Sequence, residues 1–330
     1  MVRHSRMGVF ASLGTLVVVI ALAVACSSGS SKNVIEISPS QLRPEMGQQR
    51  IVLDSNTPGD DYLYLLTVDG SEFITLTSTI GAPSSPALSP DGSQIVYECG
   101  IGFTDLCLMN VQTGEQTRLV EISRQLSGAV AAMRPAFSPD GQQVVFTGGF
   151  SDAIGLFVIN VDGSDLEPIG EGAYSHYASY SPDGKQIIFE CEGSQGNPPQ
   201  ICVMNADGTG KKRLTDANRM YSMPRFTPDG NHIFVSSCQN SLFWDTLGLG
   251  DQYKVHIMNA DGSDFRQFIS DEPSGVVTFS SDGKEIVYRV ADKDTGITTD
   301  LYVINIDGSD KRRLGDDWWD VARKGGGLPQ

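Results

Sequence analysis

The cysteines are the residues of this chain whose spacing points most directly to a chemistry. Cys99 and Cys191 each lie seven residues after the glycine of an Asp-Gly pair, and Cys107 and Cys202 each lie three residues before an asparagine that opens a turn. If these positions fall on adjacent antiparallel strands, the side chains face each other at disulfide distance. We therefore predict the disulfides Cys99–Cys107 and Cys191–Cys202, which suit an oxidising compartment. Cys238 lies near the same position of a later repeat, but His256 occupies the facing position there, so we predict a free thiol.

Residues for acid–base or metal chemistry are sparse by comparison. The histidines show no paired spacing of metal ligands, and His232 and His256 fall on predicted strands, where we expect them in the core or at its rim. The stretch Asp292–Gly296 is only weakly similar to a calcium loop and is predicted to be a polar connection. No Gly-x-Ser-x-Gly motif is present to place a nucleophile. The sequence therefore predicts no catalytic group, no metal and no cofactor.

The elements that position these residues come from a repeated turn, Ser-Pro-Asp-Gly. Proline presets φ at the second position, aspartate suits the third, and glycine adopts the left-handed conformation that follows. Each copy precedes an apolar triplet such as Ile95–Tyr97, as expected for a strand covered on both faces. The copies are Ser89–Gly92, Ser138–Gly141, Ser181–Gly184, Thr227–Gly230 and Ser281–Gly283, with a degenerate first copy at Pro44–Gly47.

A second turn follows each copy and completes a repeat of four short antiparallel strands, A to D. The six turn pairs predict six such sheets, and a sheet this small must be covered by its neighbours, which radial stacking achieves. The second turns are Asp69-Gly70, Thr113-Gly114, Asp162-Gly163, Asp207-Gly208, Asp261-Gly262 and Asp307-Gly308.

The repeat resembles that of a known protein family. Ser181–Lys185 and the apolar strand after it, then Val203–Gly208 and Arg213–Thr215, are similar to the repeat of TolB-like β-propellers, relatives of the tryptophan-aspartate repeat. The resemblance covers residues 44 to 315 and leaves no room for the α/β domain that precedes the propeller in TolB. It implies an all-β fold, a six-bladed β-propeller of four-stranded antiparallel blades. It also implies a protein that binds a partner lipoprotein at the cell envelope through one face of the disc.

The N-terminal residues have the pattern of an export signal. A start with Arg3 and Arg6 precedes an uncharged apolar run and small residues before Cys26, which is similar to a lipobox. We predict a lipoprotein signal peptide (1–25), a lipidated Cys26 with a Ser/Gly tether (26–33), the propeller (34–322) and a tail (323–330). An uncleaved membrane helix and an ordinary signal peptide are the alternatives, and all three place the propeller outside the cytoplasm.

The net negative charge of the chain limits the kinds of partner that it can bind. The chain has a formal net charge of −16, which repels nucleic acid and anionic lipid surfaces. We therefore expect no nucleic-acid partner, and membrane attachment through the lipid anchor alone.

Candidate binding residues lie in the connections between strands. The A–B and C–D turns emerge on one face of a propeller, and the B–C and D–A connections form the opposite one, here named the loop face. Tyrosine, tryptophan and arginine, types enriched in interface cores, occur in these connections. Loops packed over the tunnel mouth are the alternative to a binding surface. The candidates are Arg134, Tyr174, His176, Tyr177, Arg219, Tyr221, Phe243 and Trp244.

These observations favour a non-catalytic envelope lipoprotein that binds a protein partner, identity open, through its loop face. The alternative is a propeller that binds or cleaves a polysaccharide at the tunnel mouth with Arg134, His176 and Arg219, if the three lie within about 5 Å of one substrate. For ring closure, either Asp316–Ala322 or Val34–Ser38 is expected to complete the first blade.

Overall fold

Short apolar runs between turns form the strands of this protein, as the sequence predicts. The computed structural model describes residues 50–54, 62–67, 73–81, 83–100, 104–125, 129–150, 154–170, 174–191, 198–216, 219–238, 254–269, 274–280, 284–291 and 298–314. The segments expected to form the signal peptide, the tether, the ring closure and the tail lie outside these residues. No helix within the described ranges has the length and hydrophobicity to cross a membrane.

The described residues form strands almost throughout, with one short helix. The first sheet contains β1 (Arg50–Asp54), β2 (Tyr62–Thr67) and β3 (Phe73–Thr77), and the second contains β4 (Ser84–Leu88), β5 (Gln94–Cys99), β6 (Asp105–Asn110) and β7 (Gln116–Val120). The helix α1 (Ile122–Gln125) leads into the third sheet, which contains β8 (Ala129–Phe137), β9 (Gln143–Phe150), β10 (Ile154–Asn160) and β11 (Glu167–Ile169).

The last three sheets repeat the same order. The fourth contains β12 (Ser175–Tyr180), β13 (Gln186–Cys191), β14 (Gln200–Asn205) and β15 (Lys212–Arg213), and the fifth contains β16 (Met220–Phe226), β17 (His232–Cys238), β18 (Lys254–Asn259) and β19 (Arg266–Gln267). The sixth contains β20 (Ser274–Phe279), β21 (Glu285–Ala291), β22 (Thr298–Asn305) and β23 (Arg312–Arg313). Consecutive strands within every sheet pair antiparallel, so each sheet is a meander.

Apolar clusters between neighbouring sheets close the ring. One cluster joins Ile51 and Leu66 of the first sheet to Val287, Val303 and Leu314 of the sixth. The first strands of the second to fifth sheets, β4, β8, β12 and β16, each contact the next along the ring. The fold is therefore the predicted six-bladed β-propeller, with five sheets of four strands and a first sheet of three described strands.

The Ser-Pro-Asp-Gly turns are held by hydrogen bonds of their own aspartate. In the first of them, the Asp91 carboxylate accepts from Ser89 Oγ at 2.7 Å and from the amide of Ser93 at 3.0 Å. Gly92 has φ of 72°, which only glycine adopts at little cost. Hydrogen bonds from Ser89 and Ser93 lower the pKa of Asp91. The carboxylate thus serves the turn, and Asp140, Asp183 and Asp229 make the same contacts in the next three sheets.

Both predicted disulfides are confirmed, with a register that the sequence did not reveal. Cys99 and Cys107 have Cα atoms 5.9 Å apart, and Cys191 and Cys202 have Cα atoms 5.8 Å apart. In the strand pairing, Cys107 lies opposite Tyr97, so the bonded cysteines are diagonal neighbours rather than directly opposed. The second disulfide has the same offset.

The corresponding diagonal position of the fifth sheet holds a hydrogen bond instead of a disulfide. Ser237 Oγ lies 3.1 Å from His256 Nδ1, and both residues are buried. Counted from the turn glycine, Ser237 rather than Cys238 is the counterpart of Cys99. Cys238 ends β17, and its side chain lies outside what the structure describes, so its free thiol stays a prediction.

Candidate functional site

A backbone bulge recurs in the first strand of four consecutive sheets. Ser85, Arg134, Tyr177 and Met223 have φ between 49° and 54°, the left-handed region that favours glycine. The pairing of each strand with its neighbour shifts register at this point. A bulge re-aims the side chain it carries, and a non-glycine residue with positive φ carries strain that its surroundings must offset.

Carboxylates of the preceding sheet bond the amides of three bulges. Ser85 donates its backbone N–H to Asp54 at 3.0 Å, Arg134 donates to Glu98 at 2.9 Å, and Met223 donates to Glu190 at 3.0 Å. Each acid lies on the second strand of its repeat, so each bond crosses from one sheet to the next. These bonds satisfy a partly buried donor and offset the strain of the bulge.

The side chain of Arg134 extends from its bulge across two neighbouring sheets. Its Nη1 donates to Ser85 Oγ at 3.0 Å, and its guanidinium carbon lies 4.7 Å from the ring centroid of Tyr177. Its Nε is 4.0 Å from Glu98 Oε1. A cation over an aromatic face and beside a carboxylate is stabilised by both.

His176 is enclosed by aromatic and charged groups. Its ring meets that of Tyr177 edge-on, with ring centroids 4.4 Å apart. The ring centroid of Tyr174 lies 6.4 Å from that of His176. Burial, with the charge of Arg134 as a smaller cause, lowers the pKa of His176 to about 4. The imidazole is therefore neutral at pH 7, and its buried Nε2 has no hydrogen-bond partner.

Glu190 is the acid most strongly altered by its surroundings. Burial raises the pKa of this carboxyl to about 7, although hydrogen bonds from Ser222 and Met223 and the charge of Arg134 act in the opposite direction. Its Oε2 lies 4.0 Å from His176 Nδ1, which is longer than a hydrogen bond. Glu190 is thus poised to change charge near neutral pH.

Arg225 lies two residues after the bulge of β16. Burial lowers the pKa of its guanidinium, the nearby phenol of Tyr177 acts to raise it, and the charge of Arg134 lowers it further. We name Glu98, Arg134, His176, Tyr177, Glu190 and Arg225 the central polar cluster.

The structure brings four of the eight candidate residues together. Arg134, His176 and Tyr177 belong to the central polar cluster, and Tyr174 lies at its edge. All three cluster members lie on inner strands rather than in loops, because β8 and β12 begin earlier than the turn pattern indicates. Phe243 and Trp244 lie outside the described residues.

Arg219 and Tyr221 lie in a second environment. Tyr221 is 4% exposed and packs edge-on against Phe265, with ring centroids 5.6 Å apart. Arg219 acts electrostatically on Tyr221 and His256, and its carbonyl accepts from Gln200. The expectation that Tyr221 is accessible on a loop is thereby corrected, because the residue forms part of the core between sheets.

Three members of the cluster were not recognised from the sequence. Glu98 and Glu190 each lie six residues after a turn glycine, one residue before a cysteine, so the repeat itself carried a signal for them. Arg225 has no counterpart of its type in the other repeats and gives no such signal. Chemically, the cluster offers two guanidinium groups, a neutral imidazole, a phenol and two carboxyls, of which that of Glu190 has its pKa raised to about 7. Among the described residues, no group of histidine, cysteine or acidic side chains has a metal-binding arrangement.

Comparison with known proteins agrees with this architecture. Residues 102–322 match the TolB beta propeller domain (PD40). The chain belongs to this family. Among curated relatives of the TolB-type propeller, the Tol-Pal system protein TolB of Francisella tularensis subsp. tularensis is 29% identical over 219 residues, which cover 64% of this chain and 48% of that protein. Dipeptidyl-peptidase 5 of Porphyromonas endodontalis is 34% identical over 116 residues, covering 33% of this chain and 15% of the relative.

The chain therefore spans less than half the length of these curated relatives. Among solved structures, TolB from Acinetobacter baumannii superimposes on the TolB-type propeller with a TM-score of 0.60 at 22% identity, covering 80% of this chain and 62% of that one. At this identity, the likeness supports the fold alone.

Proposed function

We propose that this TolB-type propeller is a non-catalytic protein-interaction module of the cell envelope that binds its partner through the loop face. The observation that carries the proposal is the row of bulges, which directs Arg134, Tyr177 and Met223 from equivalent positions of consecutive sheets. Met223 is 36% exposed and is the exposed large hydrophobic residue of the described chain. Arginine, tyrosine and methionine are enriched in interfaces relative to the rest of a protein surface.

The disulfides and the N-terminal pattern support a compartment outside the cytoplasm. Two disulfides within a protein of this family suit an oxidising space outside the cytoplasm. The resemblance to Tol-Pal system protein TolB supports an envelope protein as the partner. We propose that lipidated Cys26 anchors the propeller to a membrane through the tether at 26–33.

A polysaccharide ligand at the tunnel mouth is the second candidate function. The proximity of Arg134, His176 and Tyr177 favours it, since aromatic and charged groups together can hold a sugar. Arg219, the third residue expected for such a site, makes its described contacts with Gln200, Tyr221 and His256 instead. We therefore rank protein binding first.

The test is capture from solubilised envelope followed by reconstitution. Soluble wild-type propeller is compared with Met223→Glu and Trp244→Glu, after circular dichroism shows that each folds. Lys185→Glu is the matched control, because the Lys185 side chain is 80% exposed in an A–B turn, on the face opposite the loop face, and the change also introduces glutamate.

We expect one envelope protein to bind the wild type and the control but neither Met223→Glu nor Trp244→Glu, and the purified partner to reproduce this pattern. Binding that is unchanged by these two substitutions, or the absence of any protein partner, would overturn the proposal. Glycan binding would then be measured directly.

A further inference from the structure

The repeat provides an internal reference for one position near the tunnel. The residue six or seven places after the first turn glycine, on the second strand of each repeat, is Asp54, Glu98, Thr147, Glu190 and Ser236 in the first five sheets. In the first, second and fourth sheets this residue is an acid whose carboxylate accepts the bulge amide of the next sheet. The space above the bulge therefore holds a carboxylate at three junctions. We name it the bulge niche.

The junction between the third and fourth sheets lacks this acid. Thr147 occupies the position on β9, and its Oγ1 is fully buried without a hydrogen-bond partner. The bulge that it would bond is Tyr177 on β12, a strand that packs against β9. Threonine is two bonds shorter than glutamate and offers no carboxylate, so Thr147 makes no counterpart of the bonds by which Glu98 and Glu190 hold the bulge amides at the neighbouring junctions.

Positive charge and unused donors surround the same junction. Arg134 lies over the Tyr177 ring and keeps 40% of its side chain exposed. His176 Nε2, next to Tyr177, is buried and unpartnered. The charges of Arg225 and Arg134 both act on Tyr177, as do those of Glu98 and Glu190. A bidentate carboxylate is the ligand that guanidinium geometry fits best.

We propose that the bulge niche between the third and fourth sheets is a binding site for the carboxylate group of a ligand, held by Arg134 and Arg225 beside Tyr177 and His176. The ligand carboxylate takes the place that the side chains of Glu98 and Glu190 occupy at the neighbouring junctions. Entry is along the exposed side of Arg134. The inference is independent of the protein-interaction proposal, because it rests on the repeat and the local charges alone.

The substitution that tests this most directly is Thr147→Glu, which restores the acid found at the other junctions. Its matched control is Ser236→Glu in the fifth sheet, where the equivalent hydroxyl is also buried and unpartnered, at a junction to which neither Arg134 nor Tyr177 belongs. Arg225→Gln removes one cation without adding an acid, and it carries the test if Thr147→Glu fails to fold.

The probes are three matched pairs that differ by one carboxylate: acetate and acetamide, glucuronate and glucose, and triglycine and triglycinamide. Binding to the wild-type soluble propeller is measured by calorimetric titration at constant ionic strength. We expect saturable binding of carboxylate probes, none of their neutral partners, and affinity weaker by about tenfold or more in Thr147→Glu and Arg225→Gln. Ser236→Glu should bind as the wild type does.

The carboxylate probes also identify the source of the carboxylate. If glucuronate binds more tightly than acetate and triglycine, the ligand is an acidic sugar; if triglycine binds most tightly, it is a peptide terminus. The proposal is overturned if no carboxylate probe binds, if neutral probes bind equally well, or if Thr147→Glu leaves the affinity unchanged. A partner protein lost from envelope capture would not affect this result, so the two proposals fail separately.

Discussion

Replacing Glu190 by glutamine tests whether the interior of the propeller carries a carboxyl that titrates near neutral pH. Glutamine keeps an oxygen that can accept from Ser222 and from the amide of Met223, but it cannot ionise. Burial raises the pKa of Glu190 from 4.5 to about 7. At about 1.4 kcal/mol for each pKa unit, the ionised form costs about 3 kcal/mol relative to an exposed carboxylate.

The sign of the effect follows from this raised pKa. Because the folded protein binds the proton more tightly than the unfolded chain does, the contribution of Glu190 to stability is fully present below pH 4.5 and is lost as the pH rises through about 7. The lowered pKa of His176 acts oppositely, with stability present above pH 6.5 and lost as the pH falls towards about 4. Because His176 is present in both proteins, its contribution largely cancels in the comparison.

The assay is urea unfolding of wild type and Glu190→Gln at a series of pH values from 4.5 to 8.5, followed by far-UV circular dichroism without reductant. We expect the variant to gain up to about 3 kcal/mol relative to the wild type between the two ends of the series. Glu115→Gln, which replaces an exposed carboxylate, is the control. Equal pH profiles of wild type and Glu190→Gln would refute the reasoning that burial dominates at this carboxyl.

Three further changes test the scaffold. Replacing both cysteines of the first disulfide by serine should lower the free energy of unfolding by about 2–3 kcal/mol, measured by denaturant titration, because the bond closes a short loop in the unfolded chain. Gly148→Ala should cost about 1–3 kcal/mol, because its Cβ would lie 2.5 Å from the Phe157 ring, while Gly155→Ala, at 3.8 Å from that ring, is the control; equal losses would contradict this packing. Cysteines at Ser237 and His256, with the neighbouring Cys238 changed to serine, should form a third disulfide, and two free thiols in the purified oxidised protein would count against the shared geometry.

The turns and the sheet count could be predicted because each depends on a few adjacent residues. Proline, aspartate and glycine at fixed places determine the turn, and the observed hydrogen bonds of Asp91 and the φ of Gly92 follow from those types. The disulfide partners could be predicted for the same reason, because the spacing of cysteines along adjacent strands is a local feature of the sequence. The diagonal offset of Cys99 and Cys107 was not, because it depends on how the two strands align in three dimensions.

The central polar cluster was only half predictable. Arg134, His176 and Tyr177 were predicted as binding residues from their residue types. Their environment depends on bulges, which no local sequence pattern indicated. Glu98, Glu190 and Arg225 come from three different sheets, and only the ring brings them into one electrostatic neighbourhood. Tyr221 shows the opposite error: the sequence predicted a binding residue in a loop, but the residue packs in the core. Its contact with Phe265, which is distant in sequence, could not be read from the local pattern.

Side chains at equivalent backbone positions can be compared from one sheet to the next. One diagonal position between the second and third strands holds Cys99–Cys107 in the second sheet, Gly148 under the ring of Phe157 in the third, and Ser237–His256 in the fifth. Each pair fills the same space between sheets, so the exchange is explained by packing alone. The bulge niche behaves differently, because Thr147, which stands in place of an acid, leaves its own buried hydroxyl unpartnered, and the buried Nε2 of His176 at the same junction is unpartnered as well. A substitution that leaves its neighbours unsatisfied is not explained by packing, and this contrast is why the third junction, rather than the disulfide positions, is where a ligand is expected.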